Sequence, residues 1–411
     1  MSPKPLPVSP TAAGPTPTIL GIPRRTVVGA GASAVGFGAA AVGAHALGRQ
    51  FASEATPRTA VGTAERPVRI GYLPITDAAP LLLAHARDTF GHHGLRATEP
   101  VRFRSWNSLM EAFIAGRVDV IHLLMPMALY MRYQLRVPAK VLAWNHVNGS
   151  ALTLHPEYTD LAQLAGRTVA VPSWFSIHNV LLQRLLRQAG LVPVIRSEPR
   201  AEQHEVGLIV MAPSDMIPAL TNRTIAGFTV ADPFNSAAAL GGSGRIHRYL
   251  GDVWRQHACC ATVVHESLLN DDERAAALAN ALADASVFGR ERRDEAAKLL
   301  ADTYLPQKPK AIVYALTDHG REHAEAIHNP SWGGQLLEFT PFPYPSYTRE
   351  LVVQMRETLI DAPSDFLRSL NADAVHADLV DDRFVRRALD RLGAGTFGMK
   401  SFDRTEELSD G

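Results

Sequence analysis

Between Val68 and Val230 short apolar strands alternate with amphipathic helices, and the alternation starts twice. Val68 to Leu73 alternates like a strand and is stopped by Pro74. Ala78 to Phe90 has helical spacing, with Asp77 at the N-cap position. A strand at Val101–Phe103, a helix from Trp106 to Ala115 ended by Gly116, a strand at Val118–Leu123, a helix from Pro126 and a strand at Ala139–Trp144 follow. The pattern restarts with a strand at Thr168–Val171 and a helix from Ser176 to Ala189. A short strand at Val194–Arg196, a helix at Asp215–Leu220 and a strand at Ile225–Val230 complete it. Such a chain is α/β, with parallel or mixed sheets covered on both faces. The helix–turn–strand unit at Leu109–Ile121 is echoed at Met216–Val230, which points to two related lobes. The expected organisation is a first lobe over 67–165, a second over 166–231, and a return to the first lobe over 232–360. A helical extension with a frayed tail is expected over 361–411.

Ahead of this body, Pro23-Arg24-Arg25-Thr26-Val27-Val28 opens an uncharged Ala/Gly/Val run, Thr26 to Gly48, closed by Ala44-His45-Ala46. Paired arginines, a mildly apolar run and a small-x-small end are the layout of a twin-arginine export signal. The run is also near the ~20 residues that span a bilayer, so a single uncleaved anchor is the other reading. Both place the body outside the cytoplasm, periplasmic or anchored on the outer side, with the twin-arginine machinery as a partner. Residues 1–22, rich in Pro, Ser and Thr, read as disordered, and 49–66 as a linker. Lys plus Arg number 41 against 41 Asp plus Glu, so no excess charge calls for nucleic acid. The two cysteines, Cys259 and Cys260, are adjacent, where a disulfide ring is strained, and they read as small buried residues. Three prolines within Phe339–Tyr347 forbid a helix or an inner strand, so its aromatics are expected to pack as an ordered extended loop.

No nucleophile elbow, phosphate-cradling loop or His-Glu-x-x-His zinc helix is present, and no cofactor or metal is assigned. Polar and aromatic residues stand instead where strands end and helices begin, which is where open α/β sheets hold ligands. Thr76 and Asp77 follow the first strand, and Ser105 and Trp106 the second. Asn145, His146 and Asn148-Gly149-Ser150 follow Trp144, and Ser173 to Asn179 begins a helix in the second lobe. Helix N-termini with free N–H groups suit a small oxyanion.

The run Gly71-Tyr72-Leu73-Pro74-Ile75-Thr76-Asp77-Ala78-Ala79-Pro80 resembles substrate-binding proteins of ABC importers, in the nitrate/bicarbonate/sulfonate group. So do Ser105-Trp106-Asn107, Met125-Pro126-Met127, Asn148-Gly149-Ser150-Ala151, Gly227 through Asn235, and the Pro341–Tyr347 loop. The resemblance covers roughly residues 67–360. It implies a two-lobed periplasmic-binding-protein fold, type II-like, with the ligand cleft between lobes. It also implies a non-catalytic protein that hands a small, anionic ligand to an ABC permease. It assigns ligand contacts to Trp106, Asn148, Gly149, His178 and the cationic Arg255. Thr76, Asp77 and Asp232 complete the candidate set, Asp232 being the carboxylate that a calcium-assisted anion site would use. Two rivals share the fold: an enzyme of the pyrimidine-precursor or menaquinone-pathway type, and a binding module that feeds a sensor.

Overall fold

The computed structural model describes residues 61–317, 325–329, 337–393 and 395–409. The export segment, with Arg24 and Arg25, and most of the linker lie outside the described residues. Among the described residues, no helix is long and apolar enough to cross a membrane.

Two mixed sheets carry the fold. The first lobe is built on β1 (Ile70–Tyr72), β2 (Val101–Arg102), β3 (Val120–Leu124), β4 (Ala139–Trp144) and β11 (Cys260–His265), in the order β2-β1-β3-β11-β4. The second is built on β5 (Ser150–Leu154), β6 (Arg167–Val171), β7 (Val192–Val194), β8 (Glu205–Val210), β9 (Gly227–Ala231) and β10 (Arg245–Tyr249), in the order β10-β5-β9-β6-β8-β7. In each lobe a parallel set is followed by one antiparallel strand and then a last edge strand. The antiparallel strand is β11, against β3 and β4, in the first lobe, and β5, against β9 and β10, in the second. Leaving out β7, the two strand orders coincide. The sequence echo therefore reflects a shared architecture.

The antiparallel strand in each sheet belongs, by chain order, to the other half of the sequence. β5 follows β4 directly but lies in the second sheet, and β11 returns to the first after β10. The chain crosses between lobes at Asn145–Gly149 and again at Leu250–Cys259, rather than near 165 and 231. The two crossings pair with each other. Val147 bridges Ala258, Asn148 N–H donates to the His257 carbonyl at 2.9 Å, and Asn145 N–H to the Cys260 carbonyl at 3.1 Å.

The proline-aromatic loop lies beside the first crossing. Val147 also bridges Glu338, and Trp144 N–H donates to the Pro341 carbonyl at 2.8 Å. Tyr347 is fully buried, edge-on to Trp144 at 5.0 Å and 4.7 Å from Trp254. The helix Asp272–Glu291 packs on Ala79–Ala86 and completes the first lobe. The acidic tail, read as frayed, is instead docked. Trp254 bridges Leu408, its indole N–H donates to Glu406 at 2.8 Å, and Ser409 N–H donates to the Val253 carbonyl at 2.9 Å.

Candidate ligand-binding site

Two capped helices face each other across the lobes. Ser105, extended at the N-cap of Trp106–Ile114, accepts from Ser108 N–H at 3.2 Å, and Ser176 caps Ile177–Gln188 by accepting from Asn179 N–H at 3.1 Å. Between them lies a cavity lined by Trp106, Met110, Glu111, Met127 and Tyr130 from the first lobe. Ser173, Trp174, Phe175, Val210 and Pro213 line it from the second. Tyr130 stacks on Phe175 with ring centroids 4.2 Å apart, so an aromatic pair joins the lobes at its wall. Among the described residues, no Lys or Arg lines this cavity. A second hollow, lined by Leu73, Ile75, Arg102, Arg104, Ser214 and Phe234, also draws on both lobes.

Behind the cavity, at the paired crossings, is a cluster of buried polar side chains. Trp106 links the two places: it lines the cavity, and its ring lies 5.2 Å from that of His122 on β3. Asp77, His122, His146, His257, Cys259 and Cys260 are all fully buried. His146 Nε2 lies 2.8 Å from Asp77 Oδ2, yet neither His146 nitrogen makes an aligned hydrogen bond. Cys260 Sγ is 3.5 Å from Asp77 Oδ2 and 3.7 Å from Cys259 Sγ. Cys259 Sγ is 4.0 Å from His178 Nε2, which in turn is 2.9 Å from Ser150 Oγ.

Burial sets the charges here. It raises the Asp77 carboxyl to about 7 against the pull of His146. Burial, the largest single influence, would lower His146, but Asp77 and Cys259 together outweigh it and raise the imidazole to about 10. The attraction is one of proximity and charge more than of an aligned hydrogen bond. With no carboxylate of its own, His122 is pushed by burial down to about 3, and His257 to about 4.

A family profile describing the NMT1-like family matches residues 62–303, more than half of the 411-residue chain. The chain belongs to the NMT1-like family. Among curated proteins it is similar to the nitrate/nitrite binding protein NrtA of Nostoc sp. strain PCC 7120, at 24% identity over 281 residues. That match covers 61% of this chain and 62% of the relative, so the chain spans less than two thirds of its length. Solved structures share the fold. The periplasmic nitrate-binding protein NrtA of Synechocystis PCC 6803 matches with a TM-score of 0.69 at 19% identity, over 83% of this chain and 93% of that one. A ligand-binding component of an ABC-type import system from Staphylococcus aureus, solved with zinc bound, matches with a TM-score of 0.63 at 20% identity, over 78% and 98%. The fold of this NMT1-like chain is thus that of the two-lobed periplasmic binding proteins.

The candidates named from sequence fall in three places. Trp106, at 3% exposure, lines the cavity with its indole N–H unpartnered. Asp77 does not cap a helix: it turns into the buried cluster, and the helix Ala79–Ala86 has no side-chain cap. His178 stands at the start of the helix Ile177–Gln188, between Ser150 and Cys259. Asn148 and Gly149 hold left-handed backbone at the first crossing, with φ of 58° and 79°. Thr76 and Asp232 join the lobes, since Thr76 N–H and Oγ1–H both donate to the Asp232 carbonyl, at 2.9 and 2.8 Å. The Asp232 carboxylate accepts from Ser236 N–H and Oγ–H at 3.0 Å each. Arg255 is the correction. Its guanidinium lies at the surface, paired with Glu407 of the docked tail at 3.1 Å, and it is not among the residues that line the cavity. The site membership of His122, His257, Cys259 and Cys260 had no sequence signal beyond a His interrupting the apolar strand Val-Ile-His-Leu-Leu.

Proposed function

We propose that this chain is an exported solute-binding protein that captures a small organic anion between its lobes and delivers it to an ABC permease. The observation that carries the reading is the inter-lobe cavity walled by Trp106, Tyr130, Trp174 and Phe175, which suits an apolar body. An anionic head would meet the N-terminal end of the helix Ile177–Gln188, whose preceding turn, Ser173 to Phe175, lines the cavity. Relatives named for nitrate support the class of solute, while the aromatic walls favour a larger sulfonate- or carboxylate-type ligand over bare nitrate. No bond is made or broken: binding closes the lobes, and the closed form is what a permease reads.

A thermal-shift screen of the purified chain against nitrate, bicarbonate, taurine and alkanesulfonates tests this, since a ligand bound only by the folded state raises stability. Alkanesulfonates should give the largest shift. A shift with nitrate alone would overturn the ligand class, and no shift with any anion would overturn the anion reading. Export through the twin-arginine route is part of the same proposal. Replacing Arg24 and Arg25 together by Lys should leave the protein inside the cell, and normal secretion of that variant would refute it.

A further inference from the structure

The solute reading leaves Asp77, His146, Cys259 and Cys260 without a task. They come from three separate stretches: the turn after β1, the first crossing, and the second crossing running into β11. One donor atom from each lies within 4.8 Å of every other, and all four residues are buried. A tetrahedral ion with sulfur at ~2.3 Å and nitrogen or oxygen at ~2.0–2.1 Å sets its ligand atoms about 3.3–3.8 Å apart. The separations of 3.7 Å between the two Sγ atoms and 3.5 Å between Cys260 Sγ and Asp77 Oδ2 fall in that range. The contact between Asp77 and His146, at 2.8 Å, is shorter and lacks the alignment of a hydrogen bond. Asp77 Oδ1 is also unpartnered, although fully buried polar atoms almost always find partners. A self-sufficient buried ion pair would satisfy these atoms, yet the long sulfur contacts of Cys260 still leave both His146 nitrogens and Asp77 Oδ1 without a partner.

We propose that Asp77, His146, Cys259 and Cys260 form a binding site for a thiophilic divalent transition-metal ion of the Zn2+ type. Two thiolates, an imidazole and a carboxylate select such an ion over calcium or magnesium, which take oxygen ligands. The ion would displace any proton on the ligating His146 nitrogen and Asp77 oxygen and the two thiol protons, with no change of oxidation state. It would tie the first lobe to both crossings at the point where the lobes pivot. The site goes beyond solute capture and is distinct from the aromatic cavity.

The test uses the purified full chain, kept reduced with a phosphine and stripped with a chelator that is then removed. Titration with Co2+ should saturate at one equivalent, with a thiolate-to-cobalt charge-transfer band and strong visible bands of tetrahedral coordination. Zn2+ should then displace the cobalt. Cys259→Ser and Cys260→Ser should each weaken the charge-transfer band, and the double variant should lose it. Asp77→Asn should weaken Zn2+ binding by about 10–100-fold or more. Far-UV circular dichroism checks that each variant is folded, and the single variants suffice if the double one is not. No cobalt bands in folded, reduced wild type, or bands unchanged in the cysteine variants, would overturn the proposal. The anion screen repeated in chelator separates the two readings, because capture should survive there if only the metal site is wrong.

Discussion

The cavity and the hinge cluster lie back to back, joined by Trp106 and His122, and are built of opposite materials. The cavity is walled by aromatic and thioether faces with few polar atoms. The hinge packs histidines, cysteines and carboxylates where water does not reach, and leaves several of their atoms unpartnered. Each unpartnered buried polar atom costs about 1–3 kcal/mol, so such a cluster lowers stability unless something binds it. The cavity wall can be trimmed at the expense of ligand affinity, while the hinge can be altered only at the expense of the fold or of whatever it holds.

The largest effect should come from the hinge. Trp254 is fully buried, packs against the tilted ring of Tyr347 and holds the C-terminal tail through Glu406. Trp254→Ala should cost about 3–5 kcal/mol by denaturant midpoint. Trp106→Ala should cost less, because one side of its ring faces the cavity, and should instead remove ligand binding. Equal stability losses with binding intact would erase the contrast.

Asp232 sharpens the comparison through pH. Burial raises its carboxyl to about 6, against the hydrogen bonds from Ser236 that pull it down. The native state thus binds the proton more tightly than the unfolded chain, whose carboxyl titrates near 3.9. Its contribution to stability is fully present below that value and is lost as pH rises through about 6. Asp232→Asn keeps the acceptor for Ser236 and should be more stable than wild type at pH 7–8 by up to about 3 kcal/mol, with no gain at pH 3. Urea melts of both proteins across this range would show a constant difference if the shift were absent.

Gly149 tests how tightly the first crossing is held. Its φ is 79°, and a Cβ there would stand 2.7 Å from the Leu337 side chain. Gly149→Ala should cost about 1–3 kcal/mol, from left-handed strain and the push on Leu337. A neutral result would mean the crossing is looser than its pairing implies.

The smallest effect belongs to Arg255. It is 39% exposed and paired with an exposed Glu407, so Arg255→Gln should change stability by less than about 1 kcal/mol. It should leave solute binding unchanged in the anion screen. Weakened binding of every anion would return Arg255 to the site.

Local pattern carried much of this protein. Alternating strands and helices and the proline stop after β1 depend on near neighbours in sequence, and the structure has most of them near where the sequence places them; but the helix expected over Ala78–Phe90 breaks at the left-handed Asp88, and the Phe339–Tyr347 segment, expected to be free of helix, turns helical at Pro345, the first-turn position that a proline tolerates. Four strands escaped, β5, β8, β10 and β11; the pairing of β11 with β3 and β4 bridges more than a hundred residues, and nothing local requires it. The lobe boundaries shifted for the same reason: β5 is adjacent to β4 in sequence but finds its partners in β9 and β10. Trp106 was legible as a wall residue because a helix start beyond a strand end is a local geometry. Asp77 looked like a cap because an acid before a helix usually is one, and only the crossing that brings His146 against it gave it another partner. Cys259 and Cys260 were legible as buried, but sequence holds no information about which side chains surround a buried thiol. The chain by itself determined most of its elements; the double crossing between lobes decided which distant polar groups would meet, because that meeting depends on long-range pairing of backbone strands and not on the residues themselves.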